Sequence, residues 1–404
     1  MKYLVMLGDG MADWAVPQLD GKTPLDVANK PMMDYLAKNG DTGLVKTVPD
    51  GMYPGSDTAN LSVMGYAPDI YYTGRSPLEA VSIGIDLGAD DVAFRCNLVT
   101  IDNPGVYEES TMIDYSAGEI TTEESTILIN YLNEYFKTET LNLYPGVSYR
   151  HCLVLKNSTI GTNCTPPHDI TLKPVKGNLP NGVYGDMLMD ILKKSYDLLK
   201  DHPINVDRVK RGLNPANSCW FWGEGTRPKL SPFKEKFGVN GSVISAVDLI
   251  KGIGICASLN SIDVEGATGN LHTNFSGKAD ACINAYKNGD EFVYLHVEAP
   301  DECGHQGDPA GKVKAIELID EKMLTPIYNY LKETGEQFRI LLAPDHPTPL
   351  TIRTHCRDAV PFVIYDSNEE KAKYNANAYT EKEGANTGYY IDKGDKLMPL
   401  LIKG

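Results

Sequence analysis

Several things are missing from this chain, and each absence removes a class of function. No C-x-x-C pair occurs among the eight cysteines, at 96, 152, 164, 219, 256, 282, 303 and 356. That spacing supports neither a zinc ribbon nor a thioredoxin-type dithiol, so the cysteines are expected to be reduced thiols that fill the core. Cys303 and Cys356 stand near candidate ligands described below and are expected to pack, not react. No apolar run approaches the roughly 20 residues of a membrane-spanning helix. The opening MKYLVMLGDG is too short for the apolar stretch of a secretory signal, and a cytoplasmic location is expected. Positive charge is scarce: 38 Lys and Arg against 54 Asp and Glu give a net charge of −16. Nucleic acid and membrane surfaces are therefore not expected partners. An anionic substrate would need metal ions or local Arg and Lys to supply the positive field. There is no Walker A sequence, no kinase-type Gly-rich loop, no internal repeat and no low-complexity tract. One G-x-G-x-x-A, from Gly252 to Ala257, follows a segment read as a helix, Val243–Ile250. A dinucleotide site would need a strand there.

What is present describes a globular protein: 42% hydrophobic and 23% charged residues in 404, enough for two domains. Phe292–Val297 and Phe338–Ala343 are short runs of β-branched, aliphatic and aromatic residues, and predict buried strands. Each is followed by acid and imidazole: Asp301 with His305 four residues on, then Asp345 and His346 with His355 nine residues later. Tyr3–Leu7 predicts a third strand, closed by Gly8-Asp9-Gly10. Ligands of open α/β sheets bind beyond the carboxyl ends of the strands, so these acids are expected to meet. Oxygen and imidazole donors suit Zn²⁺ or Mn²⁺, and there are enough here for two ions. A single Asp after a strand is an ordinary cap or turn. Five such residues at two strand ends are harder to explain that way, because buried acids and imidazoles need partners.

Lys312–Leu331 predicts a helix with Val313, Ile316, Ile319, Met323, Ile327 and Leu331 on its buried face. It joins the two ligand-bearing strands, which implies a parallel β-α-β crossover. Pro54-Gly55 makes a turn, and helical spacing over Asp57–Met64 puts Ser56 at a helix start. Capping serines are common there. A helix N-terminus also favours an incoming phosphate, and beside cations a serine hydroxyl becomes a nucleophile. Thr58 is the alternative nucleophile, deeper in the helix. Two cations and a hydroxyl point to phosphoryl or sulfuryl transfer through a covalent seryl intermediate. From about residue 90 the texture changes. Val92–Ile101 and Val147–Leu155 predict strands, Thr121–Phe136 and Met187–Leu199 helices, Thr165–Asp169 a rigid turn, and Asp207–Asn217 a basic segment marked by Gly and Pro. The expected organisation is a metal-binding core over residues 1–90 and 229–404 with an inserted α/β or α+β domain over 91–228. Arg75, Arg150, His168, Arg208 and Arg211 are candidates to hold a carboxylate or phosphate. The tail Ser367–Gly394 reads as polar and loop-rich.

Asp-x-x-x-His, Asp-His and a later His, with a strand-end Asp and a Ser, resemble the alkaline phosphatase superfamily. The segments GSDTANLSVMGY, YTGRSPLEA, DDVAFRCNLVTID, DHPIN, NPAN, VEGATG, APDECGHQGD, KVKAIELID and DHPTPL are similar to the archaeal-type, cofactor-independent phosphoglycerate mutases, from residue 1 to about 365. The resemblance implies an alkaline-phosphatase-like α/β core, a mainly parallel sheet flanked by helices, interrupted by a substrate-binding or lid domain. It implies exchange between 3-phosphoglycerate and 2-phosphoglycerate through phosphoserine, two divalent ions (Mn²⁺, with Zn²⁺, Mg²⁺ or Co²⁺ as alternatives) and no 2,3-bisphosphoglycerate. Ser56 would take the phosphoryl group. Asp9, Ser56, Asp345 and His346 would hold one metal, and Asp301, His305 and His355 the other. Arg150, His168, Asp169 and Lys251 would contact the small phosphorylated substrate. There is one departure. Where that family has D-R-x-A-G-R-I, this chain has Asp114-Tyr-Ser-Ala-Gly-Glu-Ile120. Loss of two basic positions points to a different substrate. Bacterial relatives are suspected homoserine kinases, and Glu119 would suit an ammonium group, although no nucleotide loop is present.

Overall fold

Segments that are apolar at nearly every position become strands buried on both faces. The structure, a computed structural model, describes residues 1–368 and 372–404; residues 369–371, within the tail read as loop, lie outside the described residues. One sheet contains β1 (Lys2–Gly8), β2 (Asp41–Val45), β3 (Gly241–Ile244), β4 (Asn260–Ile262), β5 (Phe292–Val297), β6 (Phe338–Ala343), β7 (Val360–Asp366) and β8 (Tyr390–Ile391). Their order is β4-β3-β5-β1-β6-β7-β2-β8. β1 is parallel to both β5 and β6, with Gly8 opposite Val297 and Leu7 opposite Ala343. Only β7 runs against its neighbours. The fold is therefore α/β with a mainly parallel sheet, and helices bury their apolar faces against it: Ile316, Ile319, Met323 and Ile327 pack with Leu4, Met6, Leu295 and Leu342.

Three expectations change around this sheet. The helix between β5 and β6 is not continuous: Pro309–Ile319 and Thr325–Thr334 are α-helical, and Asp320–Leu324 between them is a π-helix. Pro326, two residues past its end, has no N–H and would clash with the carbonyl four residues back, inside the wider turn, which accommodates it. Val243–Ile250 is not a helix. Its β-branched start enters β3, and the helix spans Asp248–Cys256. Gly254 there serves packing: a Cβ on it would stand 2.4 Å from Val243 Cγ1. The tail holds more structure than expected, with a helix at Glu381–Asn386, capped by Thr380, before β8.

The chain divides into two compact units, Met1–Tyr72 with Leu230–Gly404, and Thr73–Lys229. The first boundary falls earlier than the expected residue 90. The helix Ser76–Ser82 belongs to the second unit because Ser76 Oγ donates to Gly223 O and accepts from Arg95 N at 2.9 Å. This unit is α+β. An antiparallel sheet is built on Val92–Asp102, flanked by Arg150–Leu155 and Ser218–Thr226, and helices Thr122–Phe136 and Gly185–Leu199 contribute to its core. The strand read from Val147 begins only at Arg150, since Ser148 takes a left-handed φ of 55°. The helix Pro203–Lys210 covers the front of the basic segment. All eight cysteines are free thiols.

Candidate active site

The parallel register carries the chain out of β1, β5 and β6 at one level, and that brings the acids together. After β1 the chain turns at Gly10, whose φ is 61°; a Cβ there would stand 2.5 Å from Thr348 Oγ1 and 2.6 Å from Asp301 Oδ1. Only glycine fits so close a left-handed turn. Asp301 lies in the first turn of the helix Ala299–Gln306, and His305 one turn on shares its face, Nε2 3.1 Å from Asp301 Oδ2. Ser56 is the first residue of the helix Ser56–Val63, with Gly55 at the N-cap. Its hydroxyl is therefore not spent on capping and lies 3.1 Å from His346 Nε2. Thr58 is buried and faces its neighbour Asp57, amide and hydroxyl 2.8 and 3.4 Å from Oδ1. Asp9, Ser56, Asp301, His305, Asp345, His346 and His355 thus form one cluster within the first unit.

Hydrogen-bond polarity decides what this cluster can hold. His305 Nδ1 lies 3.0 Å from Arg353 O and His355 Nδ1 2.8 Å from Pro54 O. A carbonyl only accepts, so both Nδ1 atoms carry a proton, and in the neutral rings both Nε2 lone pairs turn inward. Those two Nε2 atoms are 3.0 Å apart, and His355 Nε2 is 3.3 Å from Asp301 Oδ1. Thr348 Oγ1 donates to Asp301 Oδ1 and lies 3.3 Å from His346 Nδ1, which donates to it. His346 Nε2 then faces Asp345 Oδ2 at 3.3 Å and Asp9 Oδ1 at 3.6 Å. Acceptors with no proton between them repel unless a cation joins them. Asp9 Oδ1 is buried with no hydrogen-bond partner. Burial, then Asp345, Asp301 and Glu298, push the Asp9 carboxyl well above its usual range. Burial opposes ionisation of Asp301 too, but while no cation is bound a proton on His305 or His355 Nε2 is donated to it, and these hydrogen bonds hold it well below that range. The hydrogen bond to Asp301 lifts His305 to about 9, so a cation binding there would displace the Nε2 proton. Two ligand sets emerge, Asp301 with His346 and His355, and Asp9 with Asp345 and His346. They fit two divalent cations, with His346 within reach of both.

Around this cluster stand groups that the sequence reading missed. Asn60 Nδ2 donates to Asp345 Oδ2 and to Ser56 O, both at 2.9 Å, and Tyr294 OH fixes its amide by donating to Oδ1 at 2.7 Å. Lys312 is fully buried, donating to Asp13 Oδ2 at 2.7 Å and to Thr348 O at 2.8 Å. His296 bonds Asp9 Oδ2 at 2.9 Å. Of these, only His296 left a signal, as a polar residue inside an otherwise apolar strand.

A model of the 2,3-bisphosphoglycerate-independent phosphoglycerate mutases matches residues 37–205. The enzyme of that name from Methanosarcina barkeri is 49% identical over 404 residues, covering 100% of both chains. The chain belongs to the 2,3-bisphosphoglycerate-independent phosphoglycerate mutase family. A probable family member from Geobacter sulfurreducens is 46% identical, again over 100% of both chains. Among solved structures, the PH0037 protein from Pyrococcus horikoshii is 29% identical with a TM-score of 0.83, covering 100% of this chain and 96% of that one. The cofactor-independent phosphoglycerate mutase from Thermoplasma acidophilum is 25% identical with a TM-score of 0.69, covering 100% and 99%.

The expected substrate contacts of this family member fare unevenly. Arg150 is exposed beside Tyr149, 5.1 Å from its ring centroid, and exposed His168 packs edge-on against Trp222 and Tyr115. Asp169 is exposed, and Lys251, in the first unit, pairs with Asp263 at 2.6 Å. Arg208 is not an anion grip: it is 2% exposed, pairs with Glu124 and donates to Ala117 O at 2.6 Å and Asn214 O at 2.9 Å. Arg211 is likewise engaged by Glu124 and Asp207. Both hold the departing 114–120 loop or its flank. There Ala117, Gly118 and Glu119 take φ values of 49°, 67° and 51°, and Asp114 accepts from Ser116 N and Gly118 N.

Proposed function

We propose that the chain interconverts 3-phosphoglycerate and 2-phosphoglycerate through a phosphoserine at Ser56, a cytoplasmic step of glycolysis and gluconeogenesis. The observation that carries this is the convergence of three inward Nε2 lone pairs and three buried carboxylates beside the Ser56 hydroxyl. Asp9, Ser56, Asp345 and His346 would hold one ion, Mn²⁺ by preference, and Asp301, His305 and His355 the other. Ions held there supply positive charge beside the phosphoryl oxygens and lower the pKa of the serine hydroxyl.

Ser56 Oγ forms a bond to phosphorus as the bond to the O3 of the substrate breaks, and the proton released from Oγ ends on O3. Asn60, bonded to Ser56 O at 2.9 Å, keeps the start of the helix in place. The retained glycerate then offers its 2-hydroxyl to the phosphoserine, and Oγ regains a proton. Arg150, His168, Asp169 and Lys251 are the proposed substrate contacts. A coupled assay with Mn²⁺ tests the reading: 3-phosphoglycerate should be converted. Ser56→Ala should lose turnover by several orders of magnitude while still binding Mn²⁺ through Asp9, Asp345 and His346, less tightly at that one site. Full turnover in that variant would remove Ser56 from the reaction.

A second reading rests on the 114–120 loop, where Tyr115 or Ser116, and exposed Glu119, stand where the family resemblance implies basic residues. It assigns the same phosphoserine chemistry to another acceptor, such as homoserine with ATP as donor. Phosphorylation of homoserine without conversion of phosphoglycerate would favour it.

A further inference from the structure

His296 is the one imidazole of the site region that the proposed chemistry leaves without a role. It sits in β5, fully buried, with Nε2 2.9 Å from Asp9 Oδ2 and Nδ1 3.0 Å from Ser245 Oγ. Ser245 Oγ also accepts the backbone N–H of Val247 at 2.9 Å, just ahead of the helix Asp248–Cys256. The direction of this chain can be worked out. A cation at Oδ1 would keep Asp9 ionised, and an ionised carboxylate only accepts, so Nε2 carries the proton. The Nδ1 of a neutral ring must then accept, and the Ser245 hydroxyl is the donor at hand. The Val247 N–H takes the acceptor side of that hydroxyl and turns its proton toward the ring. Every donor meets an acceptor, and the series ends on one carboxylate oxygen. The other oxygen, Asp9 Oδ1, faces His346 Nε2 at 3.6 Å and has no hydrogen-bond partner.

We propose that His296, oriented by Ser245, is a positioning residue for Asp9: it occupies Oδ2 and leaves Oδ1 as the single oxygen offered to a cation. The proposal rests on the metal reading above. Such outer partners fix a ligand's rotamer, and their loss commonly weakens metal binding about 10–100-fold. A histidine that merely fills the core would show no such link, and its removal would lower stability without touching metal affinity.

The test is calorimetric and electron paramagnetic resonance titration of the metal-free full-length protein with Mn²⁺, alongside thermal unfolding of each metal-free variant. His296→Leu should weaken one of the two Mn²⁺ equivalents by about 10–100-fold. His296→Gln, whose amide N–H can reach the same oxygen, should recover most of that loss. Ser245→Ala should weaken the same equivalent by a smaller factor. Two equivalents bound by His296→Leu as tightly as by the unaltered chain would overturn the proposal, as would a Gln variant no better than Leu. If His296→Leu does not fold, unchanged Mn²⁺ affinity in Ser245→Ala overturns it. An unaltered chain that binds no Mn²⁺ would end the metal reading itself, and this proposal with it.

Discussion

At Arg208 a guanidinium is shut away from solvent against Glu124, Ala117 O and Asn214 O. Its removal is therefore a stability experiment. Arg208→Met should cost about 3 kcal/mol in urea unfolding, because it strands the Glu124 carboxylate and two carbonyls. A stability equal to the unaltered chain would show the ion pair to be idle. From the sequence Arg208 was a candidate anion grip, because residue type tells charge and reach but not burial. Ser56 went the other way. Its position at a helix start was legible, but a capping role and a nucleophilic one look alike until Gly55 is seen to be the cap and the hydroxyl to face His346. Asn60 and Thr348 left no trace, since an Asn inside a helix and a Thr after a strand have many ordinary uses.

Among the elements, the π-helical segment Asp320–Leu324 does more than pass the chain around Pro326. Asp320, 1% exposed, accepts the Met33 N–H at 2.7 Å and the Met32 N–H at 3.2 Å, so it caps the helix Pro31–Asn39 from outside. Burial pushes its carboxyl up to about 6, against the pull of those N–H groups. Between about pH 4 and 6 the folded chain keeps a proton that the unfolded chain has released. Stability should therefore fall as pH rises through that window and level off above it, by on the order of 2 kcal/mol. Asp320→Asn should flatten this slope while retaining one oxygen for Met33 N–H. Urea midpoints at pH 4.5 and 7 give the measurement, and an unchanged slope would exclude Asp320 as its source. Periodicity announced the apolar face of this connection, but a wide turn shares that periodicity over so short a stretch. Only the geometry before Pro326 reveals it.

For the whole molecule, the division into two units has a thermodynamic consequence. All seven proposed metal ligands, Ser56 among them, lie in Met1–Tyr72 and Leu230–Gly404, and none lies in Thr73–Lys229. Scanning calorimetry should show one transition that Mn²⁺ raises and chelator lowers, and another that neither moves. At a free ion concentration about 100 times Kd the gain is about 2.7 kcal/mol per site. A chelator without effect on either transition would count against the metal sites. By itself the sequence determined the buried strands, the acids and imidazoles that follow them, and the family, because side-chain type and short-range apolar pattern are local properties. Tertiary structure alone decided that β1 lies between β5 and β6, that Thr73 opens the second unit, and that Arg208 is buried. It also decided which way each imidazole turns. Those outcomes depend on partners hundreds of residues away, such as Pro54 O for His355 and Asp9 for His296, and no local pattern encodes the direction of a hydrogen bond across that distance.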